Sequence, residues 1–148
     1  MGEAIDLNGC AVLVYANGNT EPTSTIGLGD GANGPVAVDP GGTYVLCNGR
    51  AGEDLAPLCD QSSGALSFNG DDAVTLSCDG VAVDVFGAIG TDPGAAWEAG
   101  DISTVNRTLR RQCDIILGDD IGDDDFDPSA EWDGFPQDTF DDLGRHCQ

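Results

Sequence analysis

Ala73–Cys78 reads AVTLSC and Val81–Phe86 reads VAVDVF, with Asp79-Gly80 between them. Two β-branched runs split by Asp-Gly are a strong hairpin signal, because a two-residue type I′ turn needs positive φ at both central positions. In the second arm Val81, Val83 and Val85 alternate with Ala82, Asp84 and Phe86. That alternation predicts one buried face and one partly wet face.

Working outward, the same grammar repeats. Cys10–Tyr15 (CAVLVY) reads as a buried strand, followed by a polar loop over Ala16–Thr25. Thr25–Leu28 and Val36–Val38 are short apolar pieces split by a Gly/Asp/Asn stretch, and Thr43–Cys47 (TYVLC) is a further strand. Asn48–Ser63 is a polar, Cys-bounded loop. Gly87–Gly100 is a Gly/Pro-punctuated connection holding Trp97, in which Ala95–Ala99 is expected to turn. Thr108–Cys113 and Ile115–Leu117 read as strands, and Leu117–Phe126 as an acidic surface loop. The tail, 125–148, is rich in Asp and aromatics and poor in strand-like runs. No amphipathic helical period, fixed repeat or interdomain linker interrupts the pattern, which predicts one all-β domain over 1–148, an immunoglobulin-like β-sandwich rich in loops.

Charge narrows the partners. There are 27 acidic residues against five basic ones, for a formal charge of −22, and every basic residue is Arg. Such a surface repels nucleic-acid phosphates and anionic membranes, and no run reaches the roughly 20 apolar residues of a membrane span. It favours cations, Ca²⁺ among them, and basic partner surfaces. Dense acidity also serves solubility in salty media, where screening quenches self-repulsion.

Six cysteines (Cys10, Cys47, Cys59, Cys78, Cys113 and Cys147) stand without a C-x-x-C pair and with a single His. That usage points to disulfides in an oxidising, extracellular or cell-surface setting and away from zinc. Six cysteines allow 15 pairings. Cys47–Cys59 is the first choice, since it staples a short polar loop. Residues 1–10 hold neither the basic start nor the apolar run of a signal peptide, so a secreted chain starting at Met1 is expected to be a processed form or a fragment.

The candidate metal ligands are Asp71, Asp72, Asp92, Asp123 and Asp125. Asn69-Gly70-Asp71-Asp72 offers carboxylate and amide oxygens of the kind Ca²⁺ takes, although Asn-Gly and Asp are equally what a tight turn wants. Asp92, in Thr91-Asp92-Pro93-Gly94, has the same double reading. The Asp119–Asp127 run fails the EF-hand pattern, because Gly122 falls at position four and Ala130 at position twelve. No organic cofactor is implied. Arg107, Arg110 and Arg111 can grip a carboxylate or phosphate, with the chain's own Asp residues as the readiest partners. Trp97, Trp132, Phe126, Phe135 and Phe140 suit core packing better than an exposed platform. His146 with Asp141, Asp142 and Ser129 supplies the residue types of a triad, but nothing in the sequence positions them. The chain is therefore expected not to be an enzyme.

Several stretches resemble, in order, the bacterial form of the lamin-tail domain: Ala4–Gly9 (AIDLNG), Ala16-Asn17-Gly18, Gly42–Asn48 (GTYVLCN), Phe68–Ala73 (FNGDDA), Asp84–Gly94 (DVFGAIGTDPG), Asn106–Arg111 (NRTLRR), Phe126–Trp132 (FDPSAEW), Pro136–Phe140 (PQDTF) and Leu143-Gly144 with His146. The resemblance spans nearly the whole chain and implies an immunoglobulin-like sandwich acting as a non-catalytic add-on module of secreted or surface proteins. It departs at the start: the family pattern begins with a further strand or two before AIDLNG. A sandwich without them has an open N-terminal edge. A trimmed parent, the C-terminal tail, or a strand from a neighbouring molecule would account for it. The expected function is a structural or adhesive module that self-assembles by strand complementation at that edge, with a second copy or another extracellular protein as partner. The alternatives are an accessory targeting domain of a larger secreted nuclease or phosphatase, and a Ca²⁺-dependent binding module.

Overall fold

Short β-branched runs separated by Gly-bearing turns give short strands, and the chain is all-β. The computed structural model describes residues 2–29 and 34–147, so 30–33 of the predicted Gly/Asp/Asn connection lie outside the described residues. The strands are β1 (Ile5–Asp6), β2 (Cys10–Tyr15), β3 (Ser24–Gly27), β4 (Ala37–Val38), β5 (Leu46–Asn48), β6 (Gln61–Ser63), β7 (Ala73–Cys78), β8 (Val81–Phe86), β9 (Glu98–Ala99), β10 (Ile102–Ser103), β11 (Arg107–Arg111) and β12 (Trp132–Pro136). The single α-helix among the described residues, α1 (Pro128–Glu131), precedes β12. The largest sheet has the order β3-β2-β7-β8, and β1-β4, β5-β6, β9-β10 and β11-β12 form two-stranded ladders.

The hairpin forms as its sequence predicts. Asp79 and Gly80 both take positive φ, at 52° and 78°, and Cys78 pairs with Val81. The alternation of β8 does not hold, however. The register shifts between Leu76 and Ser77, so Leu76 pairs with Asp84, Ser77 with Ala82, and Val83 is left as the extra residue of a bulge. Val81 and Val83 are therefore 66% and 44% exposed, and Val85 is buried.

Cys10 faces Cys78 across the β2–β7 ladder, and the two are joined by a disulfide with 3.9 Å between their Cα atoms. The strands' alternation puts Val12 and Leu76 on the same side, where Leu7, Cys10 and Leu28 form a buried cluster with Val12, Val38, Tyr44, Leu46 and Leu76 packed against it. Buried polar groups stitch the ladders together. Gln61 donates from Nε2 to the Gly27 carbonyl at 2.9 Å and accepts from the Tyr44 hydroxyl, tying β6 to β3. Asp72 accepts from the Asn17 amide at 2.9 Å and the Asn69 amide at 3.0 Å. The other disulfides are Cys47–Cys59, across the loop that its spacing suggested, and Cys113–Cys147, which fastens the tail.

Three further expectations are corrected. Ile115–Leu117 is not a strand: the chain turns at Cys113, with the Ile115 amide donating to the Gln112 carbonyl, and the segment joins no ladder. Glu98–Ala99 is not a turn but one arm of the β9–β10 ladder. The tail holds a five-residue strand, β12. Its Pro136 faces Arg107 at a position where the missing amide is not needed (below).

Gly87 has φ +88°, and a Cβ there would sit 3.0 Å from the Trp97 ring and 3.1 Å from the Ala73 Cα. Gly100 has φ +59° with open space around it. Gly100→Ala is expected to cost about 1 kcal/mol for the left-handed backbone alone, and Gly87→Ala at least about 2 kcal/mol because overpacking is added. Urea unfolding of the two variants checks the ranking.

Candidate binding groove

A groove of about 580 Å³ lies between β5 and β11, roofed by the C-terminal tail. Its walls are apolar: Leu46 from β5, Leu55 and Leu66 from the loops beside it, Leu109 from β11, and Phe140 and Leu143 from the tail. Arg110, Arg111, Arg145 and His146 also line it. Three of the chain's five basic residues and its single His thus meet at one place on a strongly acidic protein.

Both strands show an unspent edge to this groove. The Gln112 amide donates to the Glu131 carbonyl at 2.7 Å, so Gln112 and Glu131 are a hydrogen-bonded pair of the β11–β12 ladder. Antiparallel pairs alternate, so Arg110–Asp133 and Thr108–Phe135 are hydrogen-bonded and Arg111–Trp132, Leu109–Gly134 and Arg107–Pro136 are not. The backbone groups of Leu109 and Arg111 therefore point away from β12, and Pro136 loses nothing by lacking an amide. On β5, Val45 accepts from the Gln61 amide and the Gly49 amide donates to Ser63. The odd residues thus face β6 and Leu46 faces away. No backbone partner takes up Leu46 or Leu109 among the described residues.

The arginines hold the walls in place. Arg111 donates to both oxygens of Asp84 (2.6 and 2.9 Å) and to Glu131 (3.0 Å), with its guanidinium 4.8 Å from the Trp132 ring centre. The hydrogen bond to Asp84 raises its pKa further. This fork joins β8 to β11 and α1. Trp132 in turn packs edge-on against Phe86, and Phe86 and Trp97 both meet Phe126, so these aromatics pack internally. Arg110 stacks over Phe135 at 4.2 Å and pairs with Asp141 at 2.6 Å, clasping the tail. Its hydrogen bond and charge hold the Asp141 carboxyl below the ordinary carboxylate range. The Thr43 hydroxyl donates to the Gly144 carbonyl, fastening the tail to the β5 side. Arg145 has no ion-pair partner among the described residues.

The sequence-derived metal candidates do not converge. Asp72 spends both oxygens on backbone amides, and Asp92 caps the Gly94 amide at 2.8 Å. Asp71 is buried beside Asp72, whereas Asp123 and Asp125 belong to the separate acidic loop. Among the described residues no three His, Cys, Asp or Glu side chains form a group that could hold a metal ion. Nor do the triad residue types assemble: Ser129 donates to Asp127 as part of the α1 cap, and Asp141 is held by Arg110. The groove went unread in the sequence because its walls come from five separated segments. The one trace was the concentration of Arg in 107–111.

Compared with protein-family models, curated proteins and solved structures, the chain matches none.

Two outcomes follow from this geometry. Arg111→Ala strands Asp84 and Glu131 in a half-buried site and is expected to cost about 2 kcal/mol or more, against under about 1 kcal/mol for the more exposed Arg110→Ala; thermal unfolding separates them. The Asp141 clasp contributes fully above the ordinary Asp range and is lost as pH falls through the depressed folded value. Amide NMR shifts of residues 139–146 are expected to hold at neutral pH and move in acid, and Asp141→Asn is expected to move them at neutral pH.

Proposed function

We propose that this chain is a lamin-tail-type, immunoglobulin-like sandwich of the extracellular space that does no chemistry. On this reading it is a structural module that assembles by taking an extended segment of another chain against an open strand edge. The observation that carries the reading is the groove, where two strand edges with unspent backbone groups share one apolar trough with a basic rim. Backbone pairing supplies affinity in this mode of recognition, and side-chain pockets supply selectivity. A four-stranded antiparallel sheet with further ladders packed against it fits a sandwich. Three disulfides fit an oxidising, extracellular-type environment. No helix among the described residues is long and apolar enough to cross a membrane.

The acceptor edge in this proposal is not the N-terminal one expected from the sequence. β1 is two exposed residues paired with β4 and is not part of this groove, whereas β5 and β11 line it together.

Light scattering across a concentration series is the test. Mass is expected to rise above the 15.2 kDa of the chain with concentration, and to rise further with added salt, because screening relaxes the repulsion between copies of charge −22. A single 15.2 kDa species under all conditions would sink the self-assembly reading.

A further inference from the structure

A groove with a basic rim and an unfilled strand edge calls for an extended segment that is apolar, acidic at its flanks and short of backbone partners. The chain itself carries one. Ile116 and Leu117 are 84% and 78% exposed, the two most exposed large apolar side chains in the described structure. They adjoin one another, and their backbone groups have no hydrogen-bond partner among the described residues. Asp114 and Asp120 flank them and are exposed.

The segment is held out from its own groove. On one side Cys113 is fixed by its disulfide to Cys147. On the other, the Asp119 amide donates to Asp84 at 2.9 Å and the Gly122 carbonyl accepts from Ile89 at 2.7 Å, which pins 119–122 along β8. Gly118 lies against the bulge, where a Cβ would meet the Val83 carbonyl at 2.2 Å. The apolar pair is thus presented outward from a rigid base instead of folding back.

Resting on the assembly reading above, we propose that the occupant of the groove is Asp114–Asp120 of a second copy. Ile116 and Leu117 enter between β5 and β11, their backbone pairs with the edge at Leu109, and one flanking carboxylate meets Arg145 and His146. Donor segment and acceptor groove share no residue, so the contact is heterologous and leaves each assembly with one free donor and one free groove.

The test uses two variants of the whole chain: a donor variant, Ile116→Asp with Leu117→Asp, and an acceptor variant, Leu143→Asp with Arg145→Glu. All four positions are exposed, and circular dichroism checks that each variant keeps its β-structure. Wild type is expected to grow with concentration, and each variant alone to stay monomeric at concentrations at least tenfold beyond the wild-type midpoint. Mixed one to one, they are expected to form a dimer of twice the 15.2 kDa chain mass and to stop there, because the only intact donor and groove are used up. Wild type that assembles while the donor variant assembles equally well overturns this inference and leaves the assembly reading standing, as does a mixture that stays monomeric. Wild type that never assembles overturns both.

Discussion

The β2–β7 ladder is the constraint on which the rest of the molecule hangs. It joins residues far apart in sequence, and the Cys10–Cys78 disulfide, spanning 68 positions, closes it at one end. Closing a loop of that length removes about 4 kcal/mol of chain entropy from the unfolded state in the loop-closure account. Six residues of β2 pair with six of β7, and each strand has a further neighbour outside. The ladders beyond this sheet are two to five residues long, too short to stand alone. Side chains tie two of them to the sheet: Gln61 of β6 reaches the Gly27 carbonyl, and Arg111 of β11 reaches Asp84.

That last fork shows how a chain of charge −22 spends its few cations. Two of the five arginines are used internally, each against two carboxylates and one aromatic ring. Arg111 sits where β8, α1 and β11 come together, and truncating it leaves two carboxylates close together in a half-buried place. The positive charge that organises the β11–β12 ladder thereby also gathers at the groove that this ladder borders. The basic rim is a by-product of structural pairing, to which Arg145 adds charge not taken up by the chain's own acids.

What the sequence made legible was what is local. Asp79-Gly80 dictates its turn whatever surrounds it, and the CAVLVY and AVTLSC runs are strands in any context that buries one side. The bulge at Val83 was not legible, because it is set by the Leu76–Asp84 register and by Gly118 arriving from 35 residues away. The polarity of Gln61-Ser62-Ser63 cannot announce a strand either: it holds no apolar residue and becomes β6 only because β5 lies beside it. Trp132–Pro136 carries Gly and Pro, which argue against a strand until the pairing places Pro136 where no amide is needed. Ile115–Leu117 failed the other way. Its apolar run satisfies a strand template, but the turn at Cys113 carries it away from any partner. The groove, assembled from five segments, has no local signature at all.

The two outer edges next to the acidic loop are treated differently, and the difference bears on function. The β8 edge is blunted by a bulge, by charged Asp84 and by residues 118–122 lying along it, the ordinary defences of a sheet against adding strangers. The β11 edge at Leu109 has no bulge and borders an apolar trough under the C-terminal tail. A chain that guards one edge with an acidic loop and leaves another open, while lifting two bare apolar residues from that same loop, has not simply neglected its edges. The long-range repulsion between copies suppresses random collision, so only a contact with its apolar and ionic groups in register gains enough at short range to overcome it. In the assembly proposed above, acidity would act as a filter on contact as well as a source of solubility, and one that salt relaxes.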